Sequence, residues 1–290
     1  MLSFDASDQR QDYLVWLEHE LTAEGRTLFH APQAMGTLGM DVRRIARMVR
    51  EIKVDGWIVM AGSRELLEWF AEGKLPVFAL FGRRRGLPIA GAGPDKPPVY
   101  AEVVGHLAGM GHRRIVLLTR ALRRMPVPGA SEQAFLDALR EAGVEIGPYH
   151  LPDWKETVAG FHGRLSSLFE VTPPTALLVD EAQFMIATLQ FLARRGLRVP
   201  EDVSLVCTDD EPLLGWCLPG ISHIRWDRRL VVRRMVGWVG SLSRGEKDER
   251  QVLVPAEFVA GGTVWRAAHE HGGDAAGDGG SHLSTSAPCL

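Results

Sequence analysis

The 290-residue chain sets 33 Lys+Arg against 36 Asp+Glu, for a formal net charge of -3. That balance excludes a chain that grips nucleic acid by charge alone, because phosphate neutralisation needs a basic face. Apolar residues make up 46% and charged residues 24%, ordinary values for a globular protein with ample core material. Cys207, Cys217 and Cys289 form neither a metal-ligand spacing nor an even disulfide set, which suits a reducing compartment. "MLSFDASDQRQDY" lacks the basic start and apolar run of a secretory signal. No stretch approaches the roughly 18 apolar residues of a membrane helix. The expectation is a cytoplasmic protein with no membrane partner.

In chain order, "YLVWLEHEL" puts Tyr13, Leu14, Trp16, Leu17 and Leu21 on one helical stripe, with Gly25 as the stop. "RTLFHA" reads as a short strand. "DVRRIARMVREI" turns Val42, Ile45, Val49 and Ile52 inward and Arg43, Arg47 and Arg50 outward, a solvated basic face. "DGWIVMAG" and "LPVFALFG" read as buried strands around a helix, "RELLEWFAEG", capped by Ser63 and stopped at Gly73. A second series follows "KPPVYAEVVGHLAGMG": strands "RRIVLLT", "TALLVD", "DVSLVCT" and "GISHIRW", alternating with helices, then "RLVVRRMVGWVGSLSRG" and the extended "RQVLVPAEFVAGG". Strands that are apolar almost throughout belong to parallel sheets covered on both faces. Two successive α/β series imply two doubly wound lobes with a cleft between them. Beyond Arg266, Gly/Ala/Ser/His-rich sequence is expected to form a disordered tail over 266–290.

Catalytic signatures are weak. "AGAGPDK" contains a G-x-G without a third glycine, and no helix is read directly after a strand there. There is no P-loop, no G-x-S-x-G and no H-E-x-x-H, so an enzyme is disfavoured and neither cofactor nor metal is expected. His269, His271 and His282 lie in tail sequence that offers no fixed ligand geometry.

The polar and aromatic residues at strand ends carry more. Asp5 follows the first strand, and Arg83 follows "VFALFG" with Arg84 and Arg85. Trp154 follows Asp153 in "LPDWKET", and Asp180 and Glu181 follow "ALLV". Asp209 and Asp210 follow "SLVCT", and Trp226 follows "ISHIR". Singly, each reads as a cap, a turn residue or packing. Together they describe a cleft of carboxylates, guanidiniums and indoles, at the strand ends where α/β sheets bind ligands.

"GHLAGMGHRRIVLL" (105–118) resembles the helix-to-strand junction of LacI/GalR-family effector domains, which share the type 1 periplasmic-binding-protein fold. "TPPTALLVDEAQFMIATLQFLARRGLRVPEDVSLVCTDDEP" (172–212), "ISHIRWDRRLVVRRMV" and "VLVPAEFVAGGTV" are similar to later segments of the same family, in the same order. "VDGWIVMAG" and "LPVFALFGRR" fit more loosely. The resemblance implies two lobes, 1–111 with 225–245 and 112–224 with 246–265, joined by a hinge of three crossings. It implies a small-molecule effector, sugar-like or related, in the cleft, a homodimer, and coupling to operator DNA through an N-terminal headpiece.

Carried over by motif, Asp209 matches an aspartate that hydrogen-bonds ligand hydroxyls, and Trp154 a tryptophan that some members stack on a sugar. Trp226 falls at a cleft position, and Asp180 or Glu181 falls where members have Asn-Asp. Two departures stand out. Sugar-binding members carry an arginine four residues before the aromatic of "R-x-x-G-F", where this chain has Ser131 followed by Glu132. Arg120, Arg123 and Arg124 are open substitutes. Only "MLSF" stands where a five- or six-residue strand is expected, so an upstream DNA-binding module outside this chain is anticipated. The rival readings are a solute receptor of the same fold and a nucleotide-dependent doubly wound enzyme.

Overall fold

The computed structural model describes residues 1–4 and 12–267. The fold is α/β, with eight strands hydrogen-bonded in the order β1-β2-β3-β8-β7-β6-β5-β4. β1 (Trp57–Met60), β2 (Val77–Leu80) and β3 (Ala90–Asp95) run parallel. So do β4 (Ile115–Leu118), β5 (Ala176–Val179), β6 (Ser204–Cys207) and β7 (Ser222–Trp226). β8 (Gln251–Val259) joins the two sets: Gln251–Pro255 pair parallel with β3, and Ala256–Val259 pair antiparallel with β7. One strand thus serves two sheets, changing partner and direction of pairing at Pro255.

The four-residue strands β1, β2, β4, β5 and β6 are buried at every position. Burial on both pleats is what continuous apolar runs require, so helices must cover both faces. α1 (Asp12–Ala23) buries Tyr13, Leu14, Leu17 and Leu21 and ends before Gly25, whose φ is +71°. α2 (Val42–Glu51) starts where Asp41 accepts from the amides of Arg43 and Arg44 at 2.8 and 3.1 Å. α3 (Arg64–Glu72) starts where Ser63 accepts from Leu66 N at 3.3 Å. α4 (Pro97–Gly109), the single turn α5 (Ala121–Arg124), α6 (Ala130–Glu141), α7 (Val158–Val171), α8 (Ala182–Arg194) and α9 (Arg228–Ser243) complete the set.

Core packing places the crossings between the sheets. α4 lays Val99, Tyr100, Val103 and Leu107 against Ile115 and Phe135. It therefore packs with β4–β7, and the first crossing falls at Lys96 rather than at 111. α9 lays Val231, Met235 and Trp238 against Leu17 and Phe78, so the second crossing follows Trp226. The third lies inside β8, not at 246, because Gln251–Pro255 still pair with β3.

Two local expectations also change. "RTLFHA" is not a strand, although Ala31 N donates to Met1 O at 2.9 Å and the amino terminus bonds Phe29 O, in ladder fashion beside Leu2. "AGAGPD" is a strand, β3, and α4 opens one residue after it. Its glycines make room for a side chain: a Cβ on Gly91 would lie 2.5 Å from Arg84 Cδ and 2.7 Å from Ala79 O. Asp5 and residues 268–290, with the tail histidines, lie outside the described residues.

Candidate functional site

The carboxyl ends of the strands are where the backbone departs from regular geometry. Among the described residues, four non-glycine residues have positive φ: Met40 (+56°), ahead of α2, and Ala61, Phe81 and Glu181 (+52°, +60° and +61°), each closely following the end of a strand. Such left-handed, non-glycine turns persist only where surrounding contacts hold them.

Asp180, just past β5, has no solvent exposure. Its two oxygens accept from the hydroxyls of Thr208 at 3.0 Å and Thr119 at 3.1 Å, and Arg123 Nε lies 2.8 Å away. Burial alone would push this carboxyl up, but the charges of Arg123 and Lys96 and the two hydroxyls outweigh it. Asp180 is thus held below the usual carboxylate range. Arg123 keeps 37% of its side-chain surface while its partner keeps none, so the pair joins a partly exposed side chain to a buried acid. Lys96, buried at the first crossing, donates to Thr208 O at 2.6 Å and stands 3.7 Å from Asp209 Oδ1. Glu132, in the first turn of α6, is buried, and its Oε1 has no hydrogen-bond partner. Burial raises its pKa, although Arg123 and Lys96 pull the other way.

Two further arginines line the strand ends. Arg120 pairs with both oxygens of Glu181, at 2.5 and 2.7 Å, and approaches Glu156 at 3.4 Å. Its guanidinium carbon lies 5.2 Å from the ring centres of both Phe4 and Phe184. Arg228, at the start of α9, stands 3.9 Å from Asp210 and 4.0 Å from Glu211, beyond hydrogen-bond range. It lies 5.8 Å over the rings of Tyr13 and Trp226, which meet Phe81 edge-on at 6.3 and 5.7 Å.

The expected residues separate accordingly. Asp180, Glu181, Asp209 and Trp226 come to one region, linked through Arg123, Thr208, Lys96 and Arg228. Trp154 does not join them. It is 7% exposed, donates to Thr119 O at 3.0 Å and packs edge-on against Phe161 and Phe184, as a core residue. Arg83 is committed to backbone, donating to the carbonyls of Leu122, Arg123 and Val127 at 2.7 to 3.1 Å. Of the open arginines, Arg123 takes Asp180 and Arg120 takes Glu181, whereas Arg124 is spent on Asp153 and Trp154 O. Sequence reasoning missed Lys96, because β3 went unread, and Arg228, which was not singled out beside Trp226.

Comparison with known proteins decides what this frame is. The family described as periplasmic binding protein-like domain matches residues 104–264, more than half of the chain. The chain belongs to the periplasmic binding protein-like domain family. Among curated relatives, the lactose operon repressor of Escherichia coli K12 is 28% identical over 160 residues, 54% of this chain and 43% of that protein. The transcriptional regulator DegA of Bacillus subtilis is 23% identical over 220 residues, 73% of this chain and 64% of that protein. The matched stretches thus span about two-fifths to two-thirds of these relatives. A LacI-type regulator from Bacillus cereus subsp. cytotoxis superposes with a TM-score of 0.75 at 18% identity, over 92% of this chain and 96% of that one. The regulator CelR in complex with cellobiose gives 0.73 at 19%, over 90% and 82%. The resemblance to LacI/GalR effector domains therefore holds. Among the described residues, the chain passes between the two sets of strands at Lys96, after Trp226 and within β8. Lys96 and Arg228 stand at two of these crossings, next to Asp209 and Asp210. Among the described residues no helix is long and apolar enough to cross a membrane.

Proposed function

We propose that this chain is the ligand-sensing part of a LacI-like transcription regulator. A small effector enters between two lobes, one built on β1–β3 with α9 and the other on β4–β7 with α4. Its binding changes the angle between them about the three crossings. Asp209, Glu181 and Trp226 provide the polar and aromatic surface, and Asp180, buried beneath it, anchors Arg123. A second copy of the chain and operator DNA complete the assembly, the DNA through parts of the regulator that lie beyond the matched stretch. The observation that carries this reading is the continuous chain of side chains from Arg123 through Asp180, Thr208 and Lys96 to Asp209, set at the first crossing. A ligand touching both that chain, which lies on the β4–β7 side, and Arg228 of α9 bears on both lobes at once, which is the differential contact a population shift requires. That these relatives are an operon repressor and a transcriptional regulator favours this reading over a transport receptor or an enzyme.

A thermal-shift panel of neutral sugars, sugar phosphates and purines tests it. A ligand at about 100 times its Kd should stabilise the fold by about 2.7 kcal/mol. Asp209→Ala should remove that gain. A variant that responds like the parent would place the ligand elsewhere.

A further inference from the structure

The charges at the strand ends do not balance. Asp209, Asp210 and Glu211 are consecutive, each retains roughly a quarter of its side-chain surface (24%, 24% and 23%), and among the described residues the cations that pair with them are Lys96 and Arg228. The separations, 3.7 to 4.0 Å, are ion-pair distances without hydrogen bonds. Behind them, Asp180 and Glu132 face Arg123. Five carboxylates thus stand against three cations in a partly desolvated space, where uncompensated charge is costly. Glu211 reflects the crowding: burial first, then Asp209 and Asp210, push its pKa up.

Unused hydrogen-bonding groups mark the same region. Glu132 is 3% exposed with Oε1 unpartnered, and Trp226 is 6% exposed with Nε1 unpartnered. Arg228 Nε is buried and likewise makes no hydrogen bond. An orphan acceptor next to Arg123 and orphan donors next to Tyr13 suit hydroxyl groups, which both give and take. The rings of Tyr13 and Trp226 already carry one cation on their faces, so positive charge is accommodated there.

We propose, building on the sensing reading above, that the effector is an amine-bearing polyol of the amino-sugar class, its ammonium compensating the carboxylates of Asp209, Asp210 and Glu211 while its hydroxyls engage Trp226 and Glu132.

Isothermal titration and thermal shift with glucosamine, glucose and N-acetylglucosamine on the full chain test the assignment. Glucosamine should bind at least tenfold more tightly than either neutral sugar, and Glu211→Gln should weaken glucosamine at least tenfold while leaving glucose unchanged. Neutral sugars binding as tightly as glucosamine, or an E211Q variant that weakens all three alike, would overturn the amine assignment and leave the sensing role intact. Silence from these three and from the whole panel of sugars, sugar phosphates and purines would overturn both.

Discussion

Trp154 shows what an indole at a strand end hides: its position along the chain is legible, but the direction it faces is set by packing. Its ring fills space beside Phe161 and Phe184, and Nε1 satisfies Thr119 O. Trp154→Ala should therefore cost about 3–5 kcal/mol in a urea melt, through cavity and lost burial. A variant as stable as the parent but blind to ligand would restore the stacking role. Asp180 and Asp209 were legible because a carboxylate leaving an apolar strand stands out, yet their neutralising partners were not, since Lys96 and Arg123 arrive from distant segments. Glu132 gives a second test. Burial raises its pKa, so the fold binds this proton more tightly than the unfolded chain does. Its ionisation then lowers stability as pH climbs from the unfolded carboxylate value through the raised folded one. Glu132→Gln should melt at a higher temperature than the parent at pH 7 to 8, and the gap should close towards pH 4; a gap independent of pH would refute the linkage.

At the level of elements, period and composition exposed every strand made of continuous apolar residues. They hid β3, because Ala-Gly-Ala-Gly-Pro-Asp has little strand propensity and is used for the space it leaves to Arg84. They also hid the division of β8, since nothing local records that one strand changes partner at Pro255. What fixes the entry to β8 is an ion cluster. Asp248, 6% exposed, accepts from Arg250 N at 3.1 Å and pairs with Arg250 and with Arg234 of α9 at 3.0 and 2.9 Å. The hydrogen bond from Arg250, opposed by burial and helped by Arg234, holds its pKa well below the usual carboxylate range. Asp248→Ala leaves the Arg234 guanidinium, itself 10% exposed, without its carboxylate, and should destabilise the fold by about 3 kcal/mol at pH 7. The sign follows from the depressed pKa: the contribution is present above the ordinary carboxylate range and fades as pH falls through the folded value, so parent and variant should converge in acid melts.

Across the whole molecule, arginines tie the two sheets together where no strand does. Arg83 leaves the β2 side to hold three carbonyls of the 122–127 segment, Arg120 reaches from the β4 side to Phe4, and Arg228 reaches from α9 towards Asp210 and Glu211. Arg83 is the cleanest to remove, because the carbonyls it releases lie on a largely solvent-exposed segment and can turn to water. On the sensing reading proposed above, the same three bonds would be lost when the lobes part, and would bias the molecule towards the closed arrangement. Arg83→Ala should therefore populate open forms, with a larger radius of gyration in small-angle scattering that ligand restores. Apparent affinity should fall in proportion to the closed fraction, since a competent state populated by a tenth binds about tenfold more weakly. Stability in urea should change far less than affinity. An R83A protein with the parent's scattering profile and the parent's ligand affinity would mean that the arginine only decorates a contact held by other groups.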